Sequence, residues 1–316
     1  MSRFRILSLD GGGIKGTFTA AVLTELEKMT GKRIADHFDL ITGTSTGGLI
    51  AIALGLGVPA HELLTFYEKR GPEIFPLVGL HGRVMQNVGW FSKPKFSATP
   101  LQNAIASVLG NRRLGESKQR LAIPSFNAVN GDIYIFKTAH HQRFKQDYKD
   151  PAVNAALATS AAPSYFPAFR HESGLAFIDG GVWSNTPVMV GIVEALAVME
   201  KCVNDIEMLS IGTTDSPFFV DDKQRSGGLA DWNANLIFVQ MQAQSAGALA
   251  QAKVLLHDRF VRVNATTHPG RFSLDNSSQI SELKALGITE ARHRENDISR
   301  RFLDVSTDPF IPVYSL

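Results

Sequence analysis

The sequence has a single cysteine, little net charge and no long apolar run. Because Cys202 is the only cysteine, no disulfide can form within the chain. The absence of disulfides is typical of proteins in a reducing compartment. A formal charge of +2 over 316 residues is too small to indicate a nucleic-acid polymer as the main partner. Residues 1–9 are too short for the apolar region of a signal peptide and predict a first strand. We therefore expect a cytoplasmic protein whose membrane contacts are peripheral.

Apolar segments typical of strands and of helices alternate along the chain. This alternation predicts an α/β fold with helices on both faces of a sheet. The composition, 44% hydrophobic and 20% charged, is that of a globular protein with a sizeable core, and no repeat or clear linker divides it. We predict a single domain over residues 1–316, with its core motifs in 6–200 and a C-terminal helical part, 227–316, packed on them.

Gly43, Ser45 and Gly47 form a G-x-S-x-G pattern between an apolar strand, 38–41, and an apolar helix, 49–56. A serine at such a sharp turn is held in a strained, exposed conformation, and glycines two residues away on either side avoid clashes. Its hydroxyl then lies at a helix N-terminus, where free N–H groups favour negative charge. The pattern predicts a nucleophile at Ser45, and the alternative is a turn without chemistry.

A glycine-rich loop after the first strand has three interpretations. Gly11, Gly13 and Gly16 match the dinucleotide fingerprint G-x-G-x-x-G, but the acidic Asp36 precedes a second strand instead of closing it. A P-loop needs Gly-Lys followed by Ser or Thr, whereas Lys15 here precedes the glycine. The third interpretation is an oxyanion hole, because consecutive glycine N–H groups at a helix start can approach an anionic oxygen closely. The nearby nucleophile candidate favours this third interpretation.

A later strand, 175–178, ends in Asp179, Gly180 and Gly181. The carboxyl end of a strand is where an α/β sheet places its site residues. Asp179 is therefore a candidate site residue, and the alternative is a carboxylate that caps the following turn.

The region 74–115 contains no acidic residue, and apolar and aromatic residues alternate there with cations. Such a segment suits docking on an anionic bilayer. The alternative is a solvated loop whose aromatic residues pack inward. If the protein is regulated, this region is our candidate for a lid. Its cations are Arg83, Lys93, Lys95, Arg112 and Arg113.

Three motifs resemble, in order and spacing, those of the patatin-like phospholipases. They are the glycine loop from Asp10 to Gly16, the G-x-S-x-G turn, and the Asp-Gly-Gly triplet that begins at Asp179. Two departures are minor: Thr186 stands where the family often has a second asparagine, and Lys15 where arginine is also common. Further likenesses, which extend the resemblance over nearly the whole chain, lie at 159–167, 185–187, 209–213 and 274–275.

The resemblance implies a three-layer α/β/α fold around a mostly parallel sheet, and an ester hydrolase with a Ser–Asp dyad. Ser45 would be the nucleophile, Asp179 its base and Gly11–Gly13, including Gly12, the oxyanion hole, with no metal or cofactor. The enzyme would release fatty acids from membrane phospholipids through an acyl-enzyme. The motif residues expected to support this geometry are Asp10, Lys15, Gly16, Gly43, Gly47, Gly180 and Gly181.

The chain also resembles bacterial patatin-like phospholipases that cyclic oligonucleotides switch on in antiphage defence. This likeness implies a cyclic oligonucleotide activator, a phospholipid membrane as the partner at the inner face of the cell membrane, and a homo-oligomer on activation. No residue pattern identifies a nucleotide site.

Two other functions stay open at this point. One is an α/β-hydrolase-like esterase with a Ser-Asp-His triad that uses His257, His268 or His293, although none of them has a distinctive context. The other is a signalling module in which the loop Gly11–Gly16 binds a nucleotide.

Overall fold

The computed structural model describes residues 3–77, 93–216, 219–228, 232 and 235–316. Its centre is an eight-stranded sheet. The strands are β1 (Phe4–Leu9), β2 (Leu40–Gly43), β3 (Arg120–Asn127), β4 (Asp132–Lys137), β5 (Phe169–Arg170), β6 (Ala176–Asp179), β7 (Ile206–Ile211) and β8 (Phe260–Val263).

Helices occupy most of the remaining described chain. Two π-helical segments extend α-helices: Glu194–Val198 follows the helix that ends at Val193, and Ser299–Leu303 follows the helix that ends at Ile298. The α-helices are α1 (Gly16–Thr30), α2 (Thr46–Gly55), α3 (Ala60–Ile74), α4 (Ala98–Leu109), α5 (Ala152–Ser160), α6 (Gly181–Ser184), α7 (Val188–Val193), α8 (Asp222–Ser226), α9 (Asn235–Leu256) and α10 (Ile280–Ile298).

The sheet has the order β5-β6-β3-β2-β1-β7-β8, and β4 also pairs with β3. The pairs along β3-β2-β1-β7-β8 are parallel, whereas β4, β5 and β6 join antiparallel. The predicted α/β class with a mostly parallel sheet is therefore confirmed. Parallel strands place their carboxyl ends at one edge of the sheet, and β1 and β2 deliver the glycine loop and the Ser45 turn there side by side.

Alternate residues of β1 enter the two halves of the core. Leu7 and Leu9 join a cluster with α1, α2 and α10, whereas Phe4 and Ile6 join a second cluster with α7 and α9. This follows from strand geometry, because successive side chains point to opposite faces of a sheet. Helices therefore cover both faces, as the alternation of segments predicts.

Three predicted elements differ from the structure. The helix expected over 188–199 is α-helical only to Val193, and the two expected over 280–286 and 288–302 form one continuous helix to Ile298. Gly287 lies inside this continuous helix, and its lack of a side chain lets α10 pack against the Phe18 carbonyl of α1. The helix predicted to run from residue 227 is observed from Asn235, and residues 229–231 and 233–234 lie outside the described residues.

The predicted membrane-docking region is described only at its two ends. Phe75 and Phe96 are buried, their ring centroids lie 5.3 Å apart, and both contact Phe166. These two aromatic residues pack inward, so they are not available to a bilayer. The rest of the expected docking surface or lid, residues 78–92, lies outside the described residues. No helix within the described ranges is both long and apolar enough to cross a membrane.

Candidate active site

Ser45 lies at the turn between β2 and α2, immediately before the helix begins. Its backbone has φ 56° and ψ −123°, a conformation that non-glycine residues rarely adopt. A Cβ at Gly43 would overlap the Gly47 carbonyl, and one at Gly47 would overlap the backbone at Leu9. The two glycines therefore allow β1, β2 and α2 to approach closely enough to hold this turn. The side chain of Ser45 is partly exposed above it.

Thr159, near the end of α5, holds the backbone of Ser45 in place. The Ser45 N–H donates to Thr159 Oγ1 at 3.0 Å, and the Thr159 hydroxyl donates to the Pro124 carbonyl at 2.6 Å. Through Thr159, the Ser45 amide is therefore connected to Pro124 of β3 by two hydrogen bonds. From the sequence, Thr159 was only the start of a stretch of family likeness, and its contact with Ser45 was not predicted.

Asp179 is the last residue of β6 and stands opposite Ser125 of β3. Its N–H donates to the Ala161 carbonyl at 3.0 Å, and its Oδ1 accepts the N–H of Gly181 at 2.7 Å. A Cβ at Gly180 would overlap the Pro124 carbonyl, so a glycine is required where the chain turns past β3. These contacts fix the carboxylate at the carboxyl end of its strand.

The side chain of Ser45 lies beside the buried carboxylate of Asp179 and favours its charged form. Burial raises the pKa of Asp179 to about 6, while the Ser45 side chain and the hydrogen bond from the Gly181 N–H oppose that shift. Two residues that the sequence analysis selected independently are thus brought together in one site. At neutral pH the carboxylate is ionised and more basic than an exposed one.

The glycine loop packs directly over this pair. A Cβ at Gly11 would lie 3.3 Å from the Cβ of Ser45 and would overlap the Asn185 side-chain amide. Gly13 has φ 56°, and a Cβ there would overlap the Leu274 carbonyl, which accepts the N–H of Ile14 at 2.8 Å. The loop is therefore held at both ends by segments far away in the sequence.

The backbone N–H groups of the loop differ in their partners. The Gly11 N–H donates to the Asn185 carbonyl at 2.9 Å, so the expectation that it points freely into an oxyanion hole needs correction. The N–H groups of Gly12 and Gly13 have no hydrogen-bond partner among the described residues. These two amides are the ones left to bind an anionic oxygen.

Asp10 anchors the start of the loop through a buried ion pair. Arg262 of β8 donates to both carboxylate oxygens, at 3.0 and 2.5 Å, and the Thr186 hydroxyl donates to the second at 2.9 Å. Burial raises the pKa of Asp10, and the guanidinium opposes that shift. Asp10 was expected from its motif to support the site, whereas its partner Arg262 was not predicted.

The other two support residues of the loop face away from the nucleophile. Lys15 donates to the Thr214 carbonyl at 3.2 Å, and burial lowers the pKa of its ammonium. A Cβ at Gly16 would overlap Thr46 and would lie 2.7 Å from the Tyr67 hydroxyl, so this glycine allows α1 to begin against α2.

No histidine in the described part of the chain forms a hydrogen bond with Ser45 or Asp179. The three candidates for a triad, His257, His268 and His293, are all exposed. The described geometry therefore offers a serine and an aspartate without a third partner.

Comparison with known proteins identifies the family of the chain. The family model described as patatin-like phospholipase matches residues 7–192. A cGAMP-activated phospholipase of Pseudomonas aeruginosa is 32% identical, covering 97% of this chain and 91% of its own length. A cGAMP-activated phospholipase of Vibrio cholerae is 33% identical, with 89% and 87% covered. Among solved structures, VipD from Legionella pneumophila is 12% identical, with a TM-score of 0.49 over 94% of this chain and 67% of that one.

Proposed function

Because the chain belongs to the patatin-like phospholipase family and is a lipid-hydrolysing enzyme, we propose that it releases fatty acids from membrane phospholipids with a Ser45–Asp179 dyad. The observation that carries the proposal is the position of the Ser45 side chain beside a buried carboxylate whose pKa is raised to about 6. A nucleophile in contact with a base of matched pKa is the arrangement that acyl transfer requires.

In the proposed first step, Asp179 takes the hydroxyl proton as Ser45 Oγ attacks the ester carbonyl. The carbonyl oxygen becomes an oxyanion, and the N–H groups of Gly12 and Gly13 stabilise it. Each such donor typically contributes about 3 to 4 kcal/mol to the transition state. The tetrahedral intermediate then collapses, the ester C–O bond breaks, and Asp179 returns the proton to the departing lysophospholipid oxygen.

In the second step, water resolves the acyl-enzyme. Asp179, ionised again, accepts a proton from the water, whose oxygen attacks the acyl carbon. The bond to Ser45 Oγ breaks, Oγ recovers the proton, and the fatty acid leaves. The same carboxylate serves both half-reactions, so a pKa between that of a free carboxyl and neutral pH suits it to both.

The test is hydrolysis of phospholipid vesicles, with released fatty acid and lysolipid measured by mass spectrometry. Ser45→Ala and Asp179→Asn should abolish release. The exposed residues Ser278 and Asp132 offer matched controls, and Ser278→Ala and Asp132→Asn should match the wild type. Loss of release in Ser45→Ala would also exclude a protein that only binds nucleotides. Full activity of either dyad variant would overturn the proposal.

We further propose that a cyclic oligonucleotide activates the enzyme. Support comes from the two relatives above, which are both cGAMP-activated phospholipases and match most of the chain. In this proposal the active enzyme assembles into a homo-oligomer at the inner face of the cell membrane and attacks its phospholipids in defence against phage. The vesicle assay repeated with a panel of cyclic di- and trinucleotides tests the activation. Release that is maximal without any nucleotide would contradict it.

A further inference from the structure

A cavity of about 600 Å³ lies beside β8, the last strand at one edge of the sheet. Helix α9 forms one wall and α10 the other. Its volume falls in the range of roughly 300 to 1,000 Å³ that is typical of small-ligand sites. The lining includes Leu249 and Lys253 of α9, Phe260 and Arg262 of β8, and Arg294 and Arg301 of α10.

Two cations face this cavity from opposite walls. Lys253 and Arg294 are exposed, and neither forms an ion pair with any described residue. A third cation, Arg301, is paired with Asp297 at 2.8 Å. Two unpaired cations on separate helices suit a ligand that carries two separated negative charges.

Besides the cations, the lining contains two carboxylates, Asp258 and Asp297, and an apolar part. Leu249 and Phe260 are half-buried there, next to the small side chains of Ala246 and Ala250. An aromatic ring beside small residues provides a face on which a planar base can stack. The lining therefore combines contacts for phosphates with a surface for nucleobases.

Arg262 connects this cavity with the glycine loop. Arg262 is one of the residues that line the cavity, and its side chain holds both oxygens of Asp10, the residue immediately before Gly11. Arg294 adds a second connection, because it donates to the Arg262 carbonyl at 3.1 Å. A ligand that moves Arg294 or Arg262 would therefore act on the loop that we propose forms the oxyanion hole.

The other described cavity fits such a ligand less well. It measures about 330 Å³ and lies at residues 266–269, with Phe219 and Arg271 in its lining. Its cation, Arg271, is already paired with Glu282. The larger volume and the two unpaired cations, Lys253 and Arg294, therefore favour the cavity beside β8 as the ligand site.

We propose that the cavity between α9, β8 and α10 is the site of the activating cyclic dinucleotide, with Lys253 and Arg294 each binding one phosphate. The ligand acts on catalysis through Arg262 and Asp10. This inference rests on the proposed activation by a cyclic oligonucleotide and assigns a place to it.

The experiment measures cGAMP binding by calorimetry and the ratio of vesicle hydrolysis with and without cGAMP. Lys253→Gln and Arg294→Gln each remove a charged contact, which should weaken binding by about tenfold or more and shift the activation curve equally. Lys145 is an exposed lysine on the loop after β4, so Lys145→Gln is the matched control and should bind as the wild type does. Thermal melting without ligand verifies that each variant is folded.

Four results would overturn this site. If the wild type responds to cGAMP and both cavity variants respond equally, the nucleotide binds elsewhere, while the proposed activation stands. If no member of the nucleotide panel binds or activates the wild type, the activation and its site both fall. If the variants lose only binding to anionic phosphatidylglycerol vesicles, Lys253 and Arg294 bind the membrane and not the nucleotide. Equal competition by inorganic pyrophosphate would show that charge alone is recognised.

Discussion

The side chain of Ser45 lies beside the buried carboxylate of Asp179 and favours its charged form. The two residues come from separate motifs and meet because β2 and β6 both pair with β3. Two opposing influences act on the carboxylate, since burial destabilises its charged form while the Ser45 side chain and the Gly181 N–H stabilise it. Burial is the larger of the two, and the predictions below follow from that balance.

Ester hydrolysis should depend on pH through Asp179. The carboxylate must be ionised to accept a proton, and its pKa is about 6, so kcat should fall about tenfold per pH unit below this value. The measurement is kcat for a water-soluble ester between pH 4.5 and 8, with circular dichroism at each pH to verify folding. A rate that stays constant down to pH 4.5 in folded protein would contradict the role of Asp179 as base.

Asp179→Asn should stabilise the folded protein at high pH while it abolishes activity. The pKa of Asp179 is higher in the folded state than its usual 3.8, so the ionised group destabilises the fold above about pH 6. The cost is roughly 2 to 3 kcal/mol, and it disappears as the pH falls from 6 towards 4 and the folded carboxyl takes up its proton. Urea unfolding of both proteins at pH 8 and pH 5 measures the difference. A variant less stable than the wild type at pH 8 would show that the ionised carboxylate stabilises the fold.

Thr159 should act as a positioning residue for Ser45. Thr159→Val removes the acceptor of the Ser45 N–H and leaves that amide and the Pro124 carbonyl without this partner, which costs about 1 to 3 kcal/mol. We expect kcat to fall by about tenfold or more with KM nearly unchanged. Thr159→Ser keeps the hydroxyl and should restore most of kcat. Wild-type kcat in Thr159→Val would show that the hydrogen bond does not position Ser45, and loss of kcat in Thr159→Ser alone would show that the methyl group matters instead.

Asp10 and Arg262 should show strong energetic coupling. Arg262→Gln leaves a buried carboxylate without its main partner, a change that typically costs about 3 to 5 kcal/mol of stability. The double variant Asp10→Asn, Arg262→Gln removes both charges and should be more stable than Arg262→Gln alone. A double-mutant cycle in urea measures the coupling, and simple additivity would show that the ion pair does not matter.

The exposed histidines should be dispensable. His257→Ala, His268→Ala and His293→Ala should each keep ester hydrolysis within about twofold of the wild type, since surface changes away from a site rarely matter. Steady-state assays of the three variants beside Asp179→Asn give the comparison. If any one of these variants loses activity while Asp179→Asn stays active, the result would support a Ser-Asp-His triad and contradict the dyad.

The sequence predicts the parts of the site that depend on local structure. The Ser45 turn needs glycines at fixed spacing, and Asp179 ends a strand before two more, so both are visible in short stretches. The strand that precedes Ser45 was placed two residues too early, because apolar character does not show where pairing with β1 begins. Even so, the nucleophile and base candidates were selected without coordinates.

The sequence does not predict the long-range contacts that hold the site together. Arg262 stands in a short edge strand, where an arginine is normally taken as exposed, and only the fold brings it to Asp10. Asn185 is visible in the sequence only as part of the family likeness at 185–187, yet its carbonyl accepts the Gly11 N–H and thereby changes which donors are free. Both effects arise from the order in which strands pair, which local patterns do not specify.

The most direct test of the dyad is covalent labelling with a fluorophosphonate at pH 8, followed by peptide mapping. The reagent reacts with an activated serine, so we predict one labelled residue, Ser45. Labelling should be absent in Ser45→Ala and strongly slowed in Asp179→Asn, while Asp132→Asn labels at the wild-type rate. A label on another serine, or labelling of Ser45 at an undiminished rate in Asp179→Asn, would contradict the central claim.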